Sequence, residues 1–414
     1  MKLLISAQPG ELRAAWIDGG RLVDLVIQRD DHPSRLGEIH LGRVSDLDRG
    51  LGAAFVDLGL ERAGFLPLSE APGVRLTEGA TVTVRVLRDA TPEKGPRLTA
   101  RLIDAPPDLA QLSRDAKSPC RLLPGGDPVT RLLTAERPPE EILVDHPETF
   151  GSLKARAMAV RPELGALIGL DLGAEPLFER EVITFGPEGD TVEAAIDALL
   201  APRVALPGGG VLWIEPTHGL VAIDVDSGRQ AAGAAQDLAL AVNLEAAAEI
   251  PRQLRLRALS GQIVIDFLEL KDIKTRKRVV AALRAGLKGD REPLRVRAMA
   301  ASGLAVMTRR RGAPALHEIL TAPCGDGGSG RRKTAATLAF EALRAVRQAA
   351  VGTPEARVAV QAEPAVLAAL DGVAGRARAE LENRLGWKLA HVSAELTAGS
   401  GYEIVTDVPK AGRG

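Results

Sequence analysis

Apolar and polar residues alternate through the first thirty or so positions: Leu3 and Ile5, then Leu12, Ala14 and Trp16, then Leu22 and Val26 around Asp24. Period two is the signature of β-strands, and Asp18-Gly-Gly supplies a turn between them. The apolar start lasts only about five residues, too short for a secretory h-region, so it reads as a first strand. From Gly37 to Ala105 the strand-like runs are Glu38-Ile-His-Leu-Gly-Arg-Val-Ser, Gly52-Ala-Ala-Phe-Val-Asp-Leu, Ala63-Gly-Phe-Leu-Pro-Leu, Ala80-Thr-Val-Thr-Val-Arg-Val-Leu and Arg97-Leu-Thr-Ala-Arg-Leu. Five short strands at this spacing predict a small barrel.

The segment 106–139 is rich in Pro and Gly and carries no long periodic element, which predicts a linker or a shrunken subdomain. An α/β pattern follows, with a strand at Glu140–Asp145, helices at 148–160 and 192–200, and a strand and turn at 204–210. Val211-Leu-Trp-Ile-Glu and Gly219-Leu-Val-Ala-Ile-Asp-Val are strands, Ala235–Leu256 is a helix, and Gln262-Ile-Val-Ile-Asp-Phe is again a strand, which makes a β-α-β unit. A helix at 270–287 and a strand at 294–299 complete this region. After the Gly-rich break Cys324-Gly-Asp-Gly-Gly-Ser-Gly come a helix at 334–350, a strand at 356–360, helices within 364–385, and strands at 389–396 and 402–405, a separate α+β tail.

At 414 residues the chain exceeds one ordinary core, so several domains are expected. No stretch approaches the roughly 18 uncharged apolar residues of a membrane helix. Cys120 and Cys324 are far apart and in no CxxC pair, which excludes a disulfide framework and suits a reducing cytoplasm. The net charge of −1 means that any nucleic-acid surface must come from local clustering. One cluster stands out, since residues 251–311 hold sixteen Lys/Arg against five Asp/Glu. Taken alone, it reads more readily as solvated helices.

In a right-handed β-α-β unit the parallel strands lie about 4.8 Å apart when adjacent, and their carboxyl ends open on one edge, where ligands bind. Asp224 closes the first strand and Asp266 the second, so both carboxylates face one crevice. Two hard oxygens with water and phosphate is the usual way magnesium is held on a nucleic acid, and such an ion makes a catalytic histidine unnecessary. Asp226, two residues on, shares the face of Asp224, and Glu269 is a weaker candidate. The structural alternative is that these aspartates form turns, Asp226-Ser-Gly being a strong turn signal. With only 3% aromatics in the chain, Phe55 and Phe65 in the barrel region are either core or base-stacking residues, with Lys94 as a phosphate partner.

These residues resemble the ribonuclease E/G family. The likeness runs through Ile39-His-Leu-Gly-Arg-Val, Ala53-Ala-Phe-Val-Asp-Leu-Gly, Gly64-Phe-Leu-Pro-Leu, Glu141-Ile-Leu-Val-Asp, Glu175-Pro-Leu-Phe, Leu206-Pro-Gly-Gly-Gly and Ala222-Ile-Asp-Val-Asp-Ser-Gly-Arg229. It is densest in Asn243-Leu-Glu-Ala-Ala-Ala-Glu-Ile-Pro-Arg-Gln-Leu-Arg-Leu-Arg257 and Ile263-Val-Ile-Asp-Phe267. The resemblance implies a mixed α/β and α+β multidomain chain: N-terminal strands (1–36), an inserted OB-fold RNA-binding barrel (37–105), a shortened linker (106–139), an RNase H-like/DNase I-like catalytic region (140–312), a Gly-rich link (313–330) and a small domain (331–414). It implies an endoribonuclease acting on single-stranded RNA in rRNA or tRNA maturation or mRNA decay, leaving a 5′-phosphate and a 3′-hydroxyl. Asp224 and Asp266 fall on the family's magnesium ligands, with Mn2+ able to substitute, and Phe55, Phe65 and Lys94 fall on RNA contacts.

Departures qualify this. Asp226 stands where the family has an asparagine supporting the metal. Of the zinc link only Cys324 remains, with Gly327 at its partner position, so zinc is not expected and any homodimer lacks a zinc link. The stretch carrying part of the 5′-monophosphate pocket is missing, and Pro293 replaces an arginine expected after Asp290. The family's Phe-Gly-Leu-Leu-Glu-Met reads Ser302-Gly-Leu-Ala-Val-Met307, and Pro251 interrupts a helix where proline costs about 3 kcal/mol. These changes keep two alternatives open: a catalytically degenerate RNA-binding or regulatory protein, and a scaffold acting through its tail.

Overall fold

The computed structural model describes residues 1–31, 33–90, 94–102, 106–125, 138–173, 175–184, 189–228, 235–288, 290, 292, 294–324, 330–352, 357–394, 396 and 401–406. Arg229, Pro293, Gly327 and Ala356 lie outside them. The chain divides into two compact units, one of residues 34–131 with 310–314, and one of residues 1–33, 132–309 and 315–414.

The smaller unit is a closed barrel. Ile39–Asp48 pairs with both Ala53–Asp57 and Thr81–Arg88, and the circuit closes through Gly64–Pro67 and Arg97–Thr99. A bulge between Val44 and Asp46 bends the longest strand so that it serves both neighbours. Its interior is Val44, Ala54, Val56, Leu58, Leu66, Val82, Val84, Val86 and Leu98. Within the segment expected to be a linker, Leu109–Asp115 is a helix and Cys120–Leu123 is a strand that pairs with Ile39–Leu41.

In the larger unit, the N-terminal strands Lys2–Gln8, Glu11–Asp18 and Arg21–Arg29 form an antiparallel meander, extended by Glu141–Val144 and Ile168–Leu170 in parallel. A second, six-stranded sheet runs in the order Arg203–Ala205, Val211–Pro216, Val221–Asp226, Gly261–Asp266, Leu304–Arg309, Leu294–Val296. Among the described residues its one parallel pair is Val221–Asp226 with Gly261–Asp266, with the helix Ala235–Leu256 between them in the chain. One face of the sheet, carrying Leu212, Ile214, Val221, Ile223, Val225, Ile263, Ile265, Ala305 and Met307, packs on that helix and on Ile273–Gly286 in a single core. The small C-terminal part is a three-stranded sheet, Ala390–Ser393, Val358–Ala362 and Tyr402–Thr406, covered by the helices Ala335–Gly352, Pro364–Asp371 and Gly375–Leu385.

Pro251 does not break its helix. Proline removes the N–H that would bond the Ala247 carbonyl, and its ring needs space. That space comes from Gly286, where a Cβ would sit 2.9 Å from Pro251 Cγ. Arg255 Nη1 donates to the Gly286 carbonyl at 3.2 Å and ties the two helices together at this point.

Candidate active site

Strand alternation decides where the carboxylates go. In Val221–Asp226, Val221, Ile223 and Val225 are buried while Asp224 and Asp226 are exposed. Slipping the register by one residue would expose those three side chains, at a cost of roughly 5–9 kcal/mol at about 1.5–3 kcal/mol each. Asp266 is exposed for the same reason, with Ile263 and Ile265 in the core. In the parallel pair Asp224 stands directly opposite Asp266. The two carboxylates therefore leave adjacent strands on one face, about 5 Å apart at the backbone.

The backbone after Asp266 is held from two sides. Asn243 is fully buried on the crossover helix. Its Nδ2 donates to the Leu268 carbonyl at 2.8 Å, and its Oδ1 accepts from the Leu268 N–H at 3.0 Å. On the other side the Phe267 N–H donates to the Gly303 carbonyl at 3.3 Å. Gly303 has φ +95°, and a Cβ there would collide with the Phe267 carbonyl, so this turn requires glycine. Glu245, two residues on from Asn243, accepts from the Gly208 N–H at 2.8 Å and anchors the Pro-Gly-Gly-Gly turn. The dense motif at 243–257 is thus mostly a set of clamps.

The two carboxylates disfavour each other's charge. Partial desolvation, then the charge of Asp266, then that of Asp226, push the Asp224 carboxyl above its ordinary value. Among the described residues neither Asp224 nor Asp266 makes an ion pair. Asp226 gives one oxygen to a turn, Oδ1 accepting from the Gly228 N–H at 2.9 Å, as its sequence context predicted. Among the described residues no three His, Cys, Asp or Glu side chains converge to hold a metal. The donor set is therefore two hard carboxylates that repel each other on an exposed face, which suits a divalent ion completing its shell with water and phosphate rather than a closed protein cage.

Sequence reasoning did not single out the residues that flank the pair. Trp213 lies directly across from Asp224, and Leu304 across from Asp266, each 39% exposed on the same face. Arg203, exposed, lies across from Trp213. The alternation in Val211-Leu-Trp-Ile-Glu was the available signal, because it puts Trp213 opposite to the buried Leu212 and Ile214. The basic run at 251–311 is less of a surface than its count suggests. Arg252, Arg257 and Arg309 are buried. Arg252 pairs with Glu249 and donates to the Leu22 carbonyl, Arg309 forks onto Asp290 with two bonds of 2.9 Å, and burial pulls Arg257 down to about 10. Lys271, Lys274, Lys277 and Arg278 remain exposed. Glu269 is exposed in the loop after Asp266, where its carbonyl accepts from Gln236.

In the barrel, Phe55 and Phe65 are a cross-strand pair with ring centroids 5.9 Å apart, edge to face at 69°. Both are half-buried and outside the barrel core. Lys94 is exposed, two residues before the Pro96 carbonyl that accepts from the Phe65 N–H. Cys120 and Cys324 are free thiols.

Residues 99–312 match the Ribonuclease E/G family. Ribonuclease E of Haemophilus influenzae is 29% identical over 84% of this chain and 46% of its own length. Ribonuclease E of Escherichia coli is 30% identical over 84% of this chain and 40% of its own. Ribonuclease G of Escherichia coli is 27% identical over 93% of this chain and 95% of its own. The chain thus spans less than half of either ribonuclease E and nearly all of ribonuclease G. No helix among the described residues is long and apolar enough to cross a membrane.

Proposed function

The chain belongs to the ribonuclease E/G family, and from that premise we propose that it is a divalent-metal-dependent endoribonuclease that cuts single-stranded RNA to a 5′-phosphate and a 3′-hydroxyl. The observation that carries this reading is the direct register of Asp224 and Asp266 on an exposed face, with no ion-paired cation among the described residues to balance them. Asp224 and Asp266 hold the ion, magnesium or manganese. When bound, such an ion supplies Lewis acidity to the phosphate and lowers the pKa of water. Asn243 and Gly303 keep the Asp266 carboxylate in place by fixing the backbone that follows it. Asp226 turns the chain and adds negative potential. We read the barrel as an OB-fold in which Phe55 and Phe65 stack bases and Lys94 meets phosphate, beside RNase H-like and DNase I-like parts in the larger unit. A cytoplasmic chain, alone or as a homodimer without a zinc link, is consistent with the two free thiols.

The test is cleavage of a labelled unstructured RNA by the purified chain with magnesium, using matched 5′-monophosphate and 5′-triphosphate ends. Metal-dependent products from wild type and none from Asp224→Asn are expected, with little difference between the two ends. Equal products from both proteins would mean a contaminating nuclease. One observation favours a second reading: Asp226 puts a third carboxylate beside the pair. A chain that binds RNA with strong salt dependence yet yields no product with any divalent ion is the degenerate, regulatory protein.

A further inference from the structure

We propose that Trp213 is a base-stacking platform: it takes the base of the nucleotide adjoining the scissile phosphate, and Arg203 meets the next phosphate on the same side. The inference deepens the endoribonuclease reading and depends on it for the identity of the substrate.

Three observations converge. The first is burial. A tryptophan in the middle of a strand ordinarily buries a large apolar area. Trp16 is 5% exposed, and Trp387 packs against the small-domain core, whereas Trp213 is 39% exposed. Its strand neighbours Leu212 and Ile214 are almost fully buried on the other face, so the ring is held outward by the register of the whole sheet. Among the described residues the Trp213 side chain makes no hydrogen bond and no ring contact.

The second is position. Arg203, Trp213, Asp224, Asp266 and Leu304 form one cross-strand row over five strands. Side chains directly opposite on an antiparallel pair have Cβ atoms about 5 Å apart. A phosphate held over the two aspartates therefore has its neighbouring base within one strand spacing of the indole.

The third is electrostatic. A carboxylate pair repels an approaching polyanion, so its surroundings must supply attraction that charge does not cancel. Stacking does so for every base, and an arginine adds a phosphate contact. Arg203 is exposed and makes no ion pair or side-chain hydrogen bond among the described residues. Leu304, on the far side of Asp266, is equally exposed but has no π-face. The row is thus asymmetric, and the platform reads the base on one side of the cut only.

The experiment separates this proposal from the proposed activity. With EDTA present, so that nothing is cut, the full chain is titrated with an unstructured oligoribonucleotide while tryptophan emission is followed. Wild type and Asp224→Asn are expected to show quenching, and Trp213→Phe is expected to lose it with an unchanged circular dichroism spectrum. With magnesium, Trp213→Ala is expected to cleave about tenfold less efficiently, chiefly through a higher KM, and Trp213→Phe to recover most of that. An abasic nucleotide next to the scissile phosphate should erase the difference between wild type and Trp213→Ala. Quenching that persists in Trp213→Phe, or cleavage by Trp213→Ala equal to wild type, overturns the platform, and the exposed indole then belongs to some other partner. Quenching without cleavage keeps the platform and sinks the endoribonuclease.

Discussion

Two clusters in the larger unit, one of aspartates and one of glutamates, hold the same carboxylate group in opposite ways. At the sheet edge, Asp224, Asp226 and Asp266 stand exposed, and Asp224 is pushed up by desolvation and by its neighbours. Between the N-terminal sheet and the helix Ala335–Gly352, Glu11, Glu193 and Glu341 are clamped by cations. Arg344 reaches Glu11 at 2.7 Å and Glu193 at 3.3 Å, Arg13 reaches Glu193 at 2.5 Å, and Lys333 reaches Glu341 at 2.9 Å. Despite desolvation, Arg13 and Arg344 hold Glu193 below its ordinary value. Burial keeps Glu341 above its ordinary value despite Lys333 and Arg344, yet every carboxylate of this second cluster has a cation partner. In the first, neither Asp224 nor Asp266 makes an ion pair among the described residues, and an exposed site that keeps its like charges together is where a ligand is to be sought.

The largest expected effect breaks the first cluster. Asp224→Asn or Asp266→Asn should lower single-turnover cleavage by about a thousandfold or more, since several kcal/mol of transition-state stabilisation is at stake and about 1.4 kcal/mol is a factor of ten. Differential scanning calorimetry should show the melting temperature unchanged or slightly raised, because repulsion is relieved. Breaking the second cluster should reverse the pattern. Arg344→Ala removes the nearest cation from the buried Glu11 and one of the two that reach Glu193, and is expected to cost about 3 kcal/mol in urea unfolding, with the metal dependence of cleavage retained below the melting transition. A variant that melted normally would show the cluster to be dispensable.

The pH dependence sharpens the contrast by its sign. Because the folded state lowers the pKa of Glu193, that residue's stabilisation is present above the unfolded carboxylate pKa of about 4.3 and is lost as pH falls through the lowered value. Asp224 has the opposite sign: its penalty is present above the raised pKa and disappears as pH falls through it. Stability curves should therefore flatten at the acid end in Arg344→Ala, and Asp224→Asn should gain stability mainly near neutrality. The smallest expected effect is that of Asp226→Asn. It keeps an acceptor for the Gly228 N–H and removes one repelling charge, so calorimetry should detect magnesium binding within a few-fold of wild type and an apparent proton affinity at Asp224 closer to normal.

Much of this was legible from the sequence, for a physical reason. Period-two alternation identified the N-terminal and barrel strands, and a strand-helix-strand pattern with an aspartate late in each strand put Asp224 and Asp266 at one edge of a sheet, whereas the structure sets them in direct register on its exposed face. What escaped was whatever depended on distant pairing. The strand Leu304–Arg309 was hidden because a buried arginine occupies a core position at 309, tolerated through its fork onto Asp290 and its bond to the Leu259 carbonyl. Cys120–Leu123 sits in a Pro-rich stretch, and its pairing with Ile39–Leu41 lies some eighty residues back. The basic run at 251–311 misled for a related reason. Charge counts do not reveal which arginines point inward, and Arg252 and Arg257 do so because backbone carbonyls at Leu22 and Ala201 await them.

The contact between Pro251 and Gly286 limits the order in which this chain can change. With proline at 251, any side chain at 286 meets its ring, so Gly286→Ala should be strongly unfavourable in the present background. Replacing Pro251 by alanine first would restore a helix hydrogen bond and vacate that space, after which Gly286→Ala becomes acceptable. A double-mutant cycle should show this as a large coupling between two residues 35 positions apart. Each substitution would be judged neutral or damaging solely by its partner's history, so the pair acts as a ratchet on the drift of this helix interface.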